Sequence, residues 1–212
     1  MAEARHDTTP YKGHFGLYVG GFIAAIILFG LTAWIAAQGR AMGWEVSVFH
    51  AINGWSDGWY RLMVIVTFFG STLWAPIAVG LALVARFYRL AWRMALSILG
   101  AYSIVFFAKH IIERERPLGL FQDVHARIAE TGMGFPSGHA TLATVITLTL
   151  LPYLPWKWRW IVPLVIGLVC LSRLYLGVHV PLDLIGGVAV GTAVVAFVRI
   201  MPQPLRVLLR ID

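Results

Sequence analysis

The chain has 212 residues, 59% of them apolar and 13% charged, against roughly 45–50% and 25% in soluble domains, so lipid must be the solvent for much of its surface. A single cysteine, Cys170, excludes an intramolecular disulfide framework and a cysteine-based metal site, and its place in an apolar run reads as a small packed hydrophobe. The net charge of +7 would suit nucleic acid only as a clustered patch, and here the basic residues are scattered between apolar segments, so no nucleic-acid partner is expected.

Six apolar segments are predicted to span, at 15–37, 62–85, 94–108, 140–154, 161–176 and 184–198. The first two have full spanning length. The other four fall short of the ~20 residues a helix needs, but polar flanks can extend each at one end. The first run is too long for a signal peptide and lacks a cleavage-type ending. Between the first two spans, 39–59 is too polar to cross, and its aromatic and aliphatic residues predict a helix around 43–57 lying in the outer interface. His50 is expected there as an interfacial residue rather than a ligand. In the last span Gly187 and Gly191 form a small-xxx-small pair suited to close helix contact. The expected fold is all-α, a single polytopic domain over 1–212.

With a cytoplasmic N-terminus and six alternating helices, the basic residues divide ten inside and seven outside, and the acidic residues three and seven. The inner set includes Arg5, Lys12, Arg206 and Arg210 near the termini. The excess of Lys and Arg favours cytoplasmic N- and C-termini. Trp34, Trp44, Trp55 and Trp59 fall near one interface and Trp92, Trp156, Trp158 and Trp160 near the other, while Trp74 is expected to pack between helices.

Three polar clusters border the later spans: "KHIIERERP" with Lys109, Arg116 and Pro117, "PSGH" at 136–139, and "SRLYLGVHVPLD" with Ser172, Arg173, His179 and Asp183. In this topology all three reach the outer face. Lys109 and Arg116 are two helical turns apart and can project from one side of a helix end. Ser137 is placed to cap the helix that follows, and a helix N-terminus with Gly138 offers free N–H groups suited to phosphate. Pro181 suits the first turn of the last helix, and Asp183 follows His179 by one turn. A carboxylate on one imidazole nitrogen fixes the tautomer and leaves the other free to attack. Arg173 can supply a fork for phosphate oxygens.

Each cluster alone has a plainer explanation: a headgroup-facing pair, a helix cap, a His–Asp staple between helices. Together they are three cations, a helix N-terminus and two histidines, one with an acid partner. A serine hydrolase would leave the cations unexplained. A zinc site from His139, His179 and Asp183 would lack a third imidazole and face repelling cations. Phosphate chemistry accounts for all of them.

With these residues the sequence resembles the type 2 phosphatidic acid phosphatase (PAP2) family of membrane lipid phosphatases. The family pattern is Lys-x6-Arg-Pro, then Pro-Ser-Gly-His, then Ser-Arg-x5-His-x3-Asp, and all 11 specified positions are present, in order. The resemblance covers about 62–200 and includes the six-span layout. It implies that His179 is the nucleophile, forming a phosphohistidine, with Asp183 orienting it. His139 would be general acid for the leaving group and then base for water. Lys109, Arg116, Arg173, Ser137 and Gly138 would hold the phosphoryl oxygens and offset charge in the transition state, with no metal or cofactor.

The implied partners are membrane lipids, with a lipid phosphate or diphosphate as substrate: an isoprenyl carrier such as undecaprenyl diphosphate, phosphatidate or phosphatidylglycerol phosphate. A lipid A phosphatase is the alternative within the same fold. The implied setting is a bacterial cytoplasmic (inner) membrane, with the site at its outer face. Vanadium haloperoxidases share the constellation around vanadate but are soluble, which the six spans oppose. A non-catalytic headgroup binder or transporter is the rival from another class; the His179–Asp183 pair argues against it, because binding alone needs no oriented nucleophile.

Overall fold

The computed structural model describes residues 15–201, and every regular element among them is helical. The termini that carry Arg5, Lys12, Arg206 and Arg210 lie outside the described residues. The first apolar run forms α1 (Phe15–Ala36) without interruption. After a short loop comes α2 (Gly43–Asn53), whose start is fixed by the Glu45 carboxylate accepting the Met42 N–H at 2.9 Å. A 3-10 turn leads into α3 (Tyr60–Phe68), followed by α4 (Trp74–Val84) and α5 (Tyr88–Ile112). The single turn α6 (Pro117–Leu120) precedes a loop that ends at α7 (Gly138–Leu150), and α8 (Ile161–Tyr175) and α9 (Pro181–Ile200) complete the bundle.

Four helical stretches, Phe15–Ala36, Tyr88–Leu120, Trp156–Tyr175 and Pro181–Ile200, are long and apolar enough to cross a membrane. The outer faces of the bundle expose Leu17, Ile27, Val84, Leu99, Phe107 and Ile111, as side chains facing lipid must. The chain is a multi-pass membrane protein.

Two of the six expected spans differ from the prediction. The second, expected unbroken over 62–85, is interrupted between Phe68 and Trp74. Gly70 there lies so close to α7 and α8 that a Cβ would stand 2.6 Å from the His139 carbonyl oxygen and 2.8 Å from Val169 Cγ1. Ser71 Oγ accepts the Trp74 N–H at 3.1 Å and starts the helix afresh. The fourth, expected over 140–154, is a 13-residue α7 that tightens into a 3-10 turn at Leu151–Tyr153, where Pro152 supplies no backbone donor. Trp74 packs at the break, half-buried against Phe68 and Phe69.

α9 sits at the centre, with α1, α5, α7 and α2 around it. Its close approach to α7 depends on the predicted glycine pair. A Cβ on Gly187 would stand 2.5 Å from Ser137 O and one on Gly191 2.9 Å from Thr141 O. Thr141 Oγ1 donates to the Gly187 carbonyl at 3.0 Å across this seam. Farther along, Val190, Val194 and Val198 pack with Ala101, Val105 and Val145.

The helix expected around 43–57 is present as α2, but its buried stripe is Glu45, Phe49 and Asn53, facing α8 and α9. Asn53 is a clasp. Its Nδ2 donates to the carbonyls of His125 and Tyr175, each at 3.0 Å, and its Oδ1 accepts the His125 N–H at 2.8 Å. His50 rests half-buried against the rings of Phe49 and Phe121. Cys170 is half-buried in the apolar cluster around Phe49 and Leu174.

Candidate active site

The C-terminal ends of α5 and α8 and the N-terminal ends of α7 and α9 meet at one end of the bundle. His179 lies in the tight link from α8 to α9, where Gly177 adopts φ 78°. A Cβ at Gly177 would stand 2.5 Å from the His125 carbonyl oxygen, so the link needs a glycine on both counts. Pro181 occupies the first position of α9, and Asp183 Oδ2 accepts the Val180 N–H at 3.1 Å, capping the helix. The same oxygen stands 3.2 Å from His179 Nδ1, and both side chains are buried. With Nδ1–H donating to the carboxylate, the Nε2 lone pair points away from Asp183.

Asp183 has a second partner. Its Oδ1 accepts from Arg114 Nη1 at 3.1 Å, and Arg114 Nη2 donates to Glu45 Oε2 at 2.9 Å. Arg114 and Glu45 are fully buried, and Glu45 Oε1 accepts the Leu182 N–H at 3.1 Å. A continuous charged chain therefore runs from α2 through Glu45, Arg114 and Asp183 to the imidazole of His179.

The cations surround the free side of that ring. Arg116 Nη1 is 3.5 Å from His179 Nε2, and the same nitrogen donates to the Val178 carbonyl at 2.9 Å. Arg173 donates to Thr67 Oγ1 at 3.0 Å, while its buried Nε has no partner among the described residues. Lys109 bonds the Met133 carbonyl. Lys109 and Arg116 do not share one side of a helix as expected. α5 stops at Ile112 because Glu113 turns left-handed at φ 49°, and Arg116 reaches the site from the N-cap of α6.

Glu130, in the loop between α6 and α7, bridges two of the cations. Its Oε2 is 2.9 Å from Arg116 Nη1, and its Oε1 pairs with Arg173 Nη2. Burial alone would raise its pKa, but the charge and hydrogen bond of Arg173, then His179 and Arg116, hold it down to about 2. His179 is pushed well below the ordinary imidazole range, first by burial and then by Arg173, Arg116 and Lys109, with Glu130 opposing. Its ring is neutral near pH 7.

Ser137 caps α7, its Oγ accepting the Ala140 N–H at 3.5 Å, and its own N–H donates to the Asp183 carbonyl at 2.9 Å. The first N–H groups of α7, at Gly138 and His139, have no intrahelical acceptor. His139 shares a cavity of about 150 Å³ with Lys109, Gly138, Tyr102 and Phe106, and it lies in the field of Arg173, Glu130, Arg116 and Lys109. All eight residues singled out in the sequence thus converge on this end of the bundle. Glu45, Arg114, Glu130 and Thr67 were not anticipated. The one local signal for any of them was an arginine two positions before Arg116 in "RERP".

The chain is 30% identical over 177 residues to an undecaprenyl-diphosphatase of Sulfolobus acidocaldarius, covering 81% of this chain and 85% of that one. Its fold matches the crystal structure of Aquifex aeolicus LpxE with a TM-score of 0.70 at 21% identity, over 77% of this chain and 98% of that one. It also matches the PAP2-type phosphatidylglycerolphosphate phosphatase of Bacillus subtilis, with a TM-score of 0.64 at 27% identity, over 82% and 93%. The PAP2 superfamily model matches residues 90–206, and the chain belongs to that superfamily.

Proposed function

We propose that this protein hydrolyses a lipid phosphate monoester or lipid diphosphate through a phosphohistidine on His179. The observation that carries the reading is the buried His179–Asp183 pair, whose free nitrogen faces Arg116 in a ring of cations. In the first step Nε2 attacks phosphorus, the bond to the leaving oxygen breaks, and His139 gives that oxygen a proton. In the second, water attacks the same phosphorus as His139 takes one of its protons, the bond from phosphorus to Nε2 breaks, and inorganic phosphate leaves. Lys109, Arg116 and Arg173, with Ser137 and the Gly138 N–H, hold the phosphoryl oxygens. The unpartnered Arg173 Nε is a donor available for this. The site supplies its own cations, so this mechanism asks for no metal.

A lipid substrate is supported by an apolar groove of about 570 Å³ between α4 and α5, lined by Ala75, Val79, Leu83, Ile98 and Leu99. It shares Thr72, Tyr102 and Leu142 with the cavity at His139, so a tail lying in it carries its headgroup to the site. By similarity to the Sulfolobus and Bacillus proteins, undecaprenyl diphosphate and phosphatidylglycerol phosphate lead the candidates. Phosphatidate and the phosphate of lipid A follow. We place the domain in a bacterial-type cytoplasmic membrane as six crossing layers, with α3 and α4 together forming the second. Both termini are then cytoplasmic and the site lies at the outer face.

The test is phosphate release from the detergent-solubilised protein over a panel of these lipids, with and without EDTA, followed by a quench in alkaline SDS to trap labelled phosphoenzyme. Expected are release unaffected by chelator and an acid-labile phosphoenzyme that His179→Asn abolishes. Headgroup binding without release would show a binder rather than an enzyme. Release restored only by a divalent metal would overturn the mechanism.

A further inference from the structure

The site described above faces a selection problem set by its surroundings. Three cations at a membrane surface stand among phosphodiester headgroups, each carrying one negative charge. The substrate's terminal phosphoryl group carries about −1.5 to −2 at neutral pH. Direct competition for bare arginines would favour whichever anion is in excess. Glu130 changes this competition because its carboxylate already bridges Arg173 and Arg116, whose Nη1 lies 3.5 Å from His179 Nε2. It is ionised throughout the working pH range, and its side chain is one-quarter exposed, so it lies on the open side of the site. Asp183 and Glu45 cannot play this part, since both are buried and spent on Arg114.

We propose that Glu130 is a specificity-determining residue, an internal counter-ion that a ligand must displace from Arg116 and Arg173, which makes the site select terminal phosphoryl groups over phosphodiester headgroups. Replacing a carboxylate by a diester exchanges one negative charge for one, gains no net Coulomb energy and still requires the headgroup to be desolvated. Replacing it by a terminal phosphoryl group adds up to one further charge against the same three cations. The bidentate geometry that suits a carboxylate suits two phosphoryl oxygens equally, so the exchange keeps the arginines in place. The inference rests on the reading that these arginines hold the phosphoryl group.

The test uses the full-length protein in neutral detergent and reads binding, not turnover. Inorganic phosphate is titrated calorimetrically in micelles without and with dioleoyl phosphatidylglycerol. For the native protein, phosphate should bind and the diester lipid should leave its affinity nearly unchanged. Glu130→Gln should bind phosphate about tenfold more tightly and lose at least fivefold of that affinity when phosphatidylglycerol is added. Glu130→Asp keeps the charge but is too short to bridge both arginines, so its sensitivity to the diester should fall between the two. That ordering remains testable from whichever variants fold. Equal sensitivity in all three proteins would overturn the role of Glu130 and leave the phosphate site standing. No phosphate binding by any of them would overturn the phosphate site itself.

Discussion

Replacing Arg114 by Met removes the one cation between two fully buried carboxylates, Glu45 and Asp183. Breaking a buried ion pair from one side costs about 3–5 kcal/mol, because the remaining charge stays buried without its partner. Two carboxylates are left here, but each keeps backbone support. Glu45 retains the N–H groups of Met42 and Leu182, and Asp183 retains that of Val180. We therefore expect a loss within the same 3–5 kcal/mol range, a large fraction of a typical stability of about 5–15 kcal/mol.

Glu45→Gln is the milder companion. It turns one accepting oxygen into a donor that faces either a backbone N–H or the Arg114 guanidinium, leaving a buried donor unpaired at about 1–3 kcal/mol. The assay is SDS titration of the detergent-solubilised protein at neutral pH, followed by tryptophan fluorescence. An Arg114→Met protein within about 1 kcal/mol of native, or a Glu45→Gln protein less stable than Arg114→Met, would refute the assignment of that charge chain as a buried, mutually compensating unit.

The two proposed catalytic histidines should separate by substrate. His139→Ala should depress monoester turnover about 10²-fold more than diphosphate turnover, since an alkoxide needs a proton far more than a phosphate ester does, while His179→Ala should abolish both. Equal losses for His139→Ala would deny it the role of leaving-group acid. Because the pKa of His179 is depressed in the fold, the neutral imidazole that the proposed attack requires persists below the ordinary value of about 6.5. The acid limb of kcat/KM is expected well under that pH, and a limb at or above it would contradict the assignment. The same depression means that unfolded His179 binds its proton first, so this group's contribution to stability is lost as pH falls below about 6.5. Gly70→Ala should lower Tm and turnover together, at about 1–3 kcal/mol of overpacking against His139 and Val169. Gly167→Ala, with nothing within 4 Å, is the control that should lower neither. For orientation, a cysteine at Gln122 should label with an impermeant thiol reagent in spheroplasts and one at Lys157 should not; the reverse pattern would put the site on the cytoplasmic side.

What could be read from the sequence was what one helical turn decides. His179 and Asp183, Ser137 and the start of α7, and Pro181 at the start of α9 are local relations, fixed by spacing alone. The partners that complete the site are not local. Arg114 finds both Glu45 and Asp183 69 positions away, Arg173 finds Glu130 at 43 and Thr67 at 106. Along the sequence these residues are scattered charges and one threonine, and only tertiary packing turns them into partners. The break in the second span has the same origin. Nothing in the apolar run around Gly70 demands a stop; the demand comes from the His139 carbonyl on another helix. Glu113 likewise ends α5 through a left-handed backbone that composition does not signal.

The central position of α9 bears on how the protein is made. The helix enclosed by α1, α5, α7 and α2 is the last of the described elements to leave the ribosome. The earlier helices enter the bilayer before the element they pack around exists, and α1, the first of them, must wait for a neighbour synthesised some 145 residues later. A nascent chain that ends before Pro181 already contains Lys109, Arg116 and His139, but lacks Asp183 and the cap that shapes the His179 link. On the proposed chemistry it can attract an anion but cannot form the phosphohistidine. Hydrolysis by that route therefore has to wait until α9 has been made and has packed among the earlier helices, a delay that follows from the order of the helices alone.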